Sequence, residues 1–320
     1  MAAAPDRFAP ELVDLTRIAL PDLEELLREE CMSWRTALHW DFEPSAELVR
    51  RFVRIHALSG YALVLAGRVV GYGYYVCEDG KGLIGDLYLI RAFDTAANAG
   101  ILLSALLGGL FRTPGIRRIE AQMMLVHGAF DRTTPYSRYA QAFSRVLMLA
   151  ETGLTDELPA HDIGSHRLLT WDSALHDEAA MAIASSYQGH VDARINDQYR
   201  TWLGARRFLA NVIQYPGCGV FQESASLLAV DADDRVKGVV LSSVVAQETG
   251  HITQICVTPE VRGTGLGYEL LRHALASLST LGCAKASLTV TASNTEAIRL
   301  YQRVGFRSAR RFSAYVWEGF

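Results

Sequence analysis

The stretch VTPEVRGTGLGYELL, residues 257–271, sets Gly263, Gly265 and Gly267 at alternate positions behind Arg262 and runs into a segment of helical apolar spacing. The first amides of a helix have no partner inside the helix. The helix dipole also leaves partial positive charge there, so such an end attracts phosphate. Alternate glycines clear side chains away from those amides, and an arginine in front adds a charged donor. The stretch therefore reads as a phosphate cradle at a helix start, and its spacing decides which phosphate it takes.

Two common cradles do not fit. A Walker loop ends in GK[ST], whereas Gly267 is followed by Tyr268 and Glu269. A dinucleotide fingerprint is spaced GxGxxG and has an acid about 20 residues on. Here the spacing is GxGxG, and the strand pattern AKASLTVTASN that follows ends in Ser293 and Asn294.

Outward from the loop, HITQICV (251–257) alternates as a strand before it. YELLRHALASLSTLG follows as an amphipathic helix and ASLTVTA as a second strand. Upstream lie RLLTW (167–171), helical patterns at DEAAMAIASSY and DQYRTWLGARRFLANVI, and a hairpin made by SASLLAV, the turn DADDR and VKGVVLSSVVA. The first half shows the same order: a strand at 15–20, helices at PDLEELLREECMSW and 44–58, and a hairpin turning at Gly67–Arg68. A strand at 82–90, an apolar helix near 97–111 and a strand at IRRIEAQMML complete it. One offset aligns the halves without gaps, with Gly250 on Gly82, Arg262 on Asp94 (262 − 94 = 168) and Lys285 on Arg117. A shared offset over strand, loop, helix and strand implies an internal duplication. The polar stretch DELPAHDIGSH (156–166) marks the boundary, giving domains 1–155 and 166–320.

At 320 residues, half of them hydrophobic, the chain has the length and composition for two globular domains. Its net charge of −4 argues against a nucleic-acid partner bound by bulk electrostatics. Five cysteines, at 31, 77, 218, 256 and 283, are scattered without CxxC spacing, so neither disulfides nor a metal site is expected. The start MAAAPDRFAP lacks a secretory pattern, and the run AGILLSALLGGLF (99–111) is shorter than the roughly 20 residues of a bilayer span. A cytoplasmic chain without a membrane partner is expected. No heptad run marks an oligomer, which leaves monomer or homodimer.

RGTGLG resembles the [RQ]xxGx[GA] pyrophosphate loop of the GNAT acetyltransferases, and NTEAIRLYQRVGF (294–306) is similar to that family's NxxAxxLYxxxGF signature at every fixed position. The resemblance covers about residues 167–320 directly and the first half only through the repeat. It implies an α/β fold of two tandem lobes, each a mixed, mainly antiparallel sheet flanked by helices, with splayed parallel strands forming an acyl-CoA cleft. It further implies an acetyl-CoA-dependent N-acetyltransferase. The amides of Gly263, Thr264, Gly265, Leu266, Gly267 and Tyr268, with Arg262, would hold the pyrophosphate. The backbone of Ile255, Cys256 and Val257 and the side chain of Asn294 would hold the pantetheine arm. Tyr301 matches the family's general acid, and His251 stands where some members carry a base.

Attack of an amine on a thioester needs a base, an oxyanion donor and an acid for the departing sulfur. The segments YQGHVDARINDQYR (187–200) and YPGCGVFQES (215–224) lie where the resemblance places the acceptor site, so His190 and Tyr215 are candidate substrate contacts. Cys256 reads as an apolar strand residue rather than a nucleophile. In the first half the loop position reads DTAANA (94–99). Thr95, Ala97 and Ala99 replace the glycines, Asp94 replaces the arginine, and VHGAFDRTTPYSRYAQAF carries no tyrosine signature. A carboxylate there repels pyrophosphate, so this lobe is expected to be degenerate. The expected acceptor is a small-molecule primary amine. A protein or peptide N-acetyltransferase, or a non-catalytic acyl-CoA-binding regulatory protein, is the alternative.

Overall fold

The computed structural model describes residues 9–126, 134–215 and 217–320. The start read above for a leader, through residue 8, lies outside the described residues. So do residues 127–133, part of the stretch compared with the tyrosine signature.

Contacts divide the chain into two compact units, Met1–Ser144 with Phe312–Phe320, and Arg145–Arg311. In the first, β1 (Glu11–Asp14) is followed by α1 (Leu20–Leu38), α2 (Glu43–Arg54), β2 (Gly60–Leu65), β3 (Arg68–Glu78), β4 (Lys81–Leu89), α3 (Ala96–Arg112) and β5 (Arg118–Met123). Its strands pair in the order β1-β2-β3-β4-β5, antiparallel except for the parallel β4/β5 pair. The sixth strand is residues 313–318 of β13 (Arg307–Glu318), antiparallel to β5.

The second unit opens with residues 145–151 of β6 (Ala140–Glu151). Then come β7 (Arg167–Thr170), α4 (His176–Ser186), α5 (Asp192–Ile195), α6 (Trp202–Gln214), β8 (Val220–Phe221), β9 (Leu227–Val230), β10 (Val236–Ala246), β11 (Thr249–Val257), α7 (Leu266–Thr280), β12 (Lys285–Thr291) and α8 (Thr295–Arg303). Its order is β6-β12-β11-β10-β9-β7, with β11/β12 parallel and the other pairs antiparallel.

The two units repeat one plan. Shifted by 168 residues, β4 has the bounds of β11, and α3 ends where α7 ends. Equivalent glycines do equivalent work. A Cβ on Gly82 would come within 2.6 Å of Leu110, and one on Gly250 within 2.6 Å of Leu278, so glycine lets the helix lie close on the sheet in both lobes.

The division at 156–166 differs from the one the contacts make. Residues 145–151 precede that polar stretch but hydrogen-bond to β12, and Val146, Met148 and Ala150 lie in the second core. Tyr315 and Trp317, at the far end of the second half, lie in the first core. Each half of the sequence thus lends its last strand to the other unit. The strand expected at 15–20 also lies earlier. Asp14 accepts from the amide of Thr16 and starts a 3-10 turn at Leu15–Arg17, and Pro21 then sits in the first turn of α1. The β2–β3 hairpin turns at Ala66–Gly67, both left-handed, one residue before the expected pair. The apolar run 99–111 is the buried α3, and among the described residues no helix is long and apolar enough to cross a membrane.

The exchanged strand makes the first unit depend on the chain's last residues. Trp317 is fully buried, and its indole N–H donates to the carbonyl of Pro135 at 3.1 Å. Trp317→Ala should destabilise this unit by about 3–5 kcal/mol, read from the denaturant midpoint. A shift below about 1 kcal/mol would show that the strand is peripheral.

Candidate functional site

In the second unit β11 and β12 pair only from Thr249–Ile252 to Lys285–Leu288. Beyond that β11 stays bonded to β10 through Val257, and β12 to β6 through Thr291. The inner edges of Thr253–Val257 and Thr289–Thr291 therefore face an opened seam. Ile255, Cys256 and Val257 are half-buried along one lip. An unladdered strand edge is a row of donors and acceptors that an extended amide-bearing ligand can complete.

β11 leads into the glycine loop. Gly263 (φ 79°) and Gly265 (φ 90°) are left-handed, a conformation costly for other residues, and Gly265 is the N-cap of α7 with no side chain to cap it. The first amides of α7 are left for an external acceptor. Leu266 goes into the core. The Tyr268 hydroxyl donates to the carbonyl of Pro159 at 2.9 Å, so these two contribute backbone rather than side chain to the loop. The Thr264 hydroxyl closes the loop on the Val261 carbonyl at 2.8 Å. Arg262 turns a guanidinium N–H to the carbonyl of Ser186, at the end of α4, at 2.7 Å.

The first unit keeps the seam and loses the cradle. β4 and β5 pair from Lys81–Ile84 to Arg118–Ala121 and then part. Thr95, however, caps α3, its hydroxyl accepting from the amide of Asn98 at 3.2 Å, and Asn98 donates to the Phe93 carbonyl at 2.8 Å. Asp86, the 168-offset equivalent of Gln254, lies against the fully buried Glu30, which accepts from the Tyr72 hydroxyl at 2.9 Å. Burial first, then the neighbouring Asp86 carboxyl, holds Glu30 well above the usual carboxylate range.

On the other side of the second seam, Asn294 caps α8 by accepting from the amide of Ala297 at 3.2 Å, and its amide nitrogen lies 3.2 Å from His190 Nε2. Tyr301, one helical face further on, is 8% exposed. Burial raises its phenol above the usual tyrosine range. The Asp192 carboxylate pushes the same way, against Arg145. A third cluster joins these. Arg145 on β6 donates to Asp192 Oδ1 (3.1 Å), to the Thr291 hydroxyl (3.0 Å) and to the Thr289 hydroxyl (3.1 Å), and Thr291 donates to the same Asp192 oxygen. Tyr187 and Tyr199 stack at 4.4 Å, and Gln254 bonds both hydroxyls, donating to Tyr187 at 3.0 Å and accepting from Tyr199 at 3.4 Å.

The structure thus gathers the loop, the β11 edge, Asn294, Tyr301 and His190 in one lobe. Tyr215 stands apart, 63% exposed at the end of α6, beside Pro216, which lies outside the described residues. Burial pushes the Cys256 thiol up to about 11, which keeps it protonated at neutral pH. Sequence reading missed Arg145 and Gln254. Arg145 stands 47 residues before Asp192 and 146 before Thr291. Its one signal is a charge interrupting the apolar alternation of AQAFSRVLMLA.

Residues 192–306 match the Acetyltransferase (GNAT) family. The chain is 38% identical over 86 residues to a mycothiol acetyltransferase of Saccharopolyspora erythraea, an alignment covering 27% of this chain and 28% of that protein. It is 39% identical over 82 residues to the [ribosomal protein bS18]-alanine N-acetyltransferase of Salmonella typhimurium, covering 26% and 55%. These matches span about a quarter to about half the length of those relatives. A longer match, 27% identical over 259 residues, covers 78% of this chain and 69% of the mycothiol acetyltransferase of Renibacterium salmoninarum. In fold the chain is similar to a GCN5-related N-acetyltransferase from Sphaerobacter thermophilus (TM-score 0.68, 18% identity, 99% and 97% covered). It is also similar to a tandem GNAT protein from the clavulanic acid biosynthesis pathway (TM-score 0.57, 17% identity, 97% and 98% covered).

His251 lies in the closed part of the seam, opposite Ser287, not on its open lip. It is 5% exposed, Nδ1 lies 2.8 Å from the Ser287 hydroxyl, and burial lowers its pKa to about 4. It is therefore neutral at physiological pH and turned into the sheet, which suits a packing role rather than that of a base. The fold favours the neutral ring, so its contribution is whole above the unfolded value near 6.5 and is lost as pH falls towards 4. Between pH 7.5 and 4.5 the wild type should lose about 2.5 kcal/mol more than His251→Gln in urea titrations. Equal losses would refute the assignment.

Proposed function

The chain belongs to the GNAT superfamily, and from that membership we propose that it is an acetyl-CoA-dependent N-acetyltransferase whose second lobe transfers the acetyl group directly to a small primary amine. One observation carries this reading: the uncapped, glycine-opened start of α7 abuts the seam where β11 and β12 part.

Acetyl-CoA supplies a thioester carbonyl and a thiolate leaving group. The free amides from Gly263 to Tyr268 take its pyrophosphate, with Arg262 at the loop's shoulder. The open edge of Ile255, Cys256 and Val257 takes the pantetheine amides as an added strand, and Asn294 bonds the same arm. A backbone N–H on this edge receives the oxyanion. Tyr301, kept protonated by its raised pKa, gives its proton to the departing sulfur. The capped α3 of the first lobe offers no such cradle, so turnover belongs to the second lobe alone. The 39% identity to the ribosomal-protein alanine acetyltransferase supports a peptide N-terminus as the competing acceptor.

The test is thiol release from acetyl-CoA with a panel of small amines and alanine-starting peptides. Transfer to the peptides alone would replace the small-molecule reading, and no transfer to either would overturn the activity. Tyr301→Phe should lower kcat roughly 100-fold with little change in acetyl-CoA Kd, and the wild-type rate should show no alkaline fall from this group below about pH 10. Gly265→Glu places a carboxylate in the cradle. It should weaken acetyl-CoA at least about 100-fold, or about 3 kcal/mol, by calorimetry, with the thermal midpoint recorded alongside.

A further inference from the structure

The second lobe builds one carboxylate into its seam, and nothing in the reading above uses it. Asp192 sits at the start of α5, in the wall between α4 and α6. Its Oδ1 is taken by Arg145 Nη1 at 3.1 Å and by the Thr291 hydroxyl. Its Oδ2 is turned the other way and lies 3.8 Å from His190 Nδ1, beyond hydrogen-bond length. The Asp192 amide donates to that same Nδ1 at 3.1 Å, and at 3.8 Å the ring makes no hydrogen bond to Oδ2. Arg145 is itself tied down. Its two terminal nitrogens are spent on Asp192, Thr291 and Thr289, so it fixes one carboxylate oxygen and leaves the other open.

The groups around Asp192 come from every element of the site. They are Tyr187 and His190 from the segment after α4, Tyr199 before α6, Arg145 on β6 and Tyr301 on α8, with Cys256 on β11 beside Tyr187 and Tyr301. Apart from the carboxylate these are phenols, a thiol, a ring and the engaged arginine, so Asp192 is the one anion among them.

We propose that Asp192 Oδ2 receives the ammonium of the acceptor amine, and that Arg145, carried on the strand the first half contributes, is the positioning residue that holds Asp192 in that pose. The inference rests on the acetyltransferase reading and deepens it. The acceptor enters as a cation, and the site selects ammonium over a neutral isostere through a single charge-assisted bond. The proton count closes. An ammonium has two protons more than the amide nitrogen it becomes. One proton leaves to solvent past His190 before attack and frees the nitrogen lone pair; as the C–N bond forms and the C–S bond breaks, the other ends on the sulfur by way of Tyr301.

The probes are butylamine and phenethylamine as acceptors and N,N-dimethylbutylamine, whose tertiary ammonium keeps one N–H but cannot form a stable amide, as a competitor. Asp192→Asn should raise the amine KM and the competitor Ki at least tenfold and leave acetyl-CoA Kd unchanged. Arg145→Lys should fall between wild type and Arg145→Met. The double variant Arg145→Met/Asp192→Asn removes both charges and leaves no buried charge unpaired. Recovery of wild-type KM and Ki in it would show that the pair is only structural and would overturn the proposal. So would an unchanged Ki in Asp192→Asn. Failure of the underlying reading looks different: wild type would bind N,N-dimethylbutylammonium by calorimetry, lose it on Asp192→Asn, and acetylate no amine.

Discussion

The parallel ladder between β11 and β12 stops after four residue pairs while each strand keeps its outer partner, and the site depends on that early stop. Backbone N–H and C=O groups tolerate burial only when paired, so a seam opened in the middle of a sheet must be completed by water or by a ligand. Chain order then equips both lips. β11 runs directly into the glycine loop and α7, and β12 runs directly into Asn294 and α8 with Tyr301. The glycine at 250 lets Leu278 come down on the sheet and keeps α7 close to the strand it follows.

The first lobe shows how little of this the fold itself requires. It has the same strand order, the same parting of its parallel pair and the same close glycine–leucine approach. Among the described residues, what differs includes the helix α8 that follows β12 and, around the helix start and the seam, a few side chains. A threonine satisfies the helix start that glycine leaves open, and a carboxyl pair at Glu30 and Asp86 stands where the second lobe carries Gln254. Core packing and the uncapped helix start draw on separate residues, so one is kept where the other is gone.

Reciprocal strand exchange ties the halves together. Each unit buries apolar residues that the other half of the sequence encodes: Val146, Met148 and Ala150 in one direction, Tyr315 and Trp317 in the other. The same exchange brings Arg145 to Asp192, so a polar contact beside Tyr301 depends on a residue outside the family-matching segment 192–306.

Much of this was legible in sequence, for physical reasons. Helix and strand periods, the glycine loop at 263–267, the Asn294–Phe306 signature and the 168-residue offset are all patterns of near neighbours or of one repeated spacing, and they hold wherever the segments end up. The seam residues Ile255, Cys256 and Val257 were expected from the family resemblance, which assigns a place along one strand. Tertiary structure alone decided the rest. It put residues 145–151 in the second sheet and β13 in the first, because strand pairing is chosen by partners far apart in the chain and leaves no local mark. It buried His251 against Ser287, four residues short of the half-buried Ile255–Val257 lip, because where a ladder stops is a property of two strands and not of one. It tied Arg262 to Ser186 and left Tyr215 in solvent, and it joined Arg145, Asp192 and Thr291 into one cluster, since a side chain's partner is fixed only when distant backbones have been brought within hydrogen-bond reach.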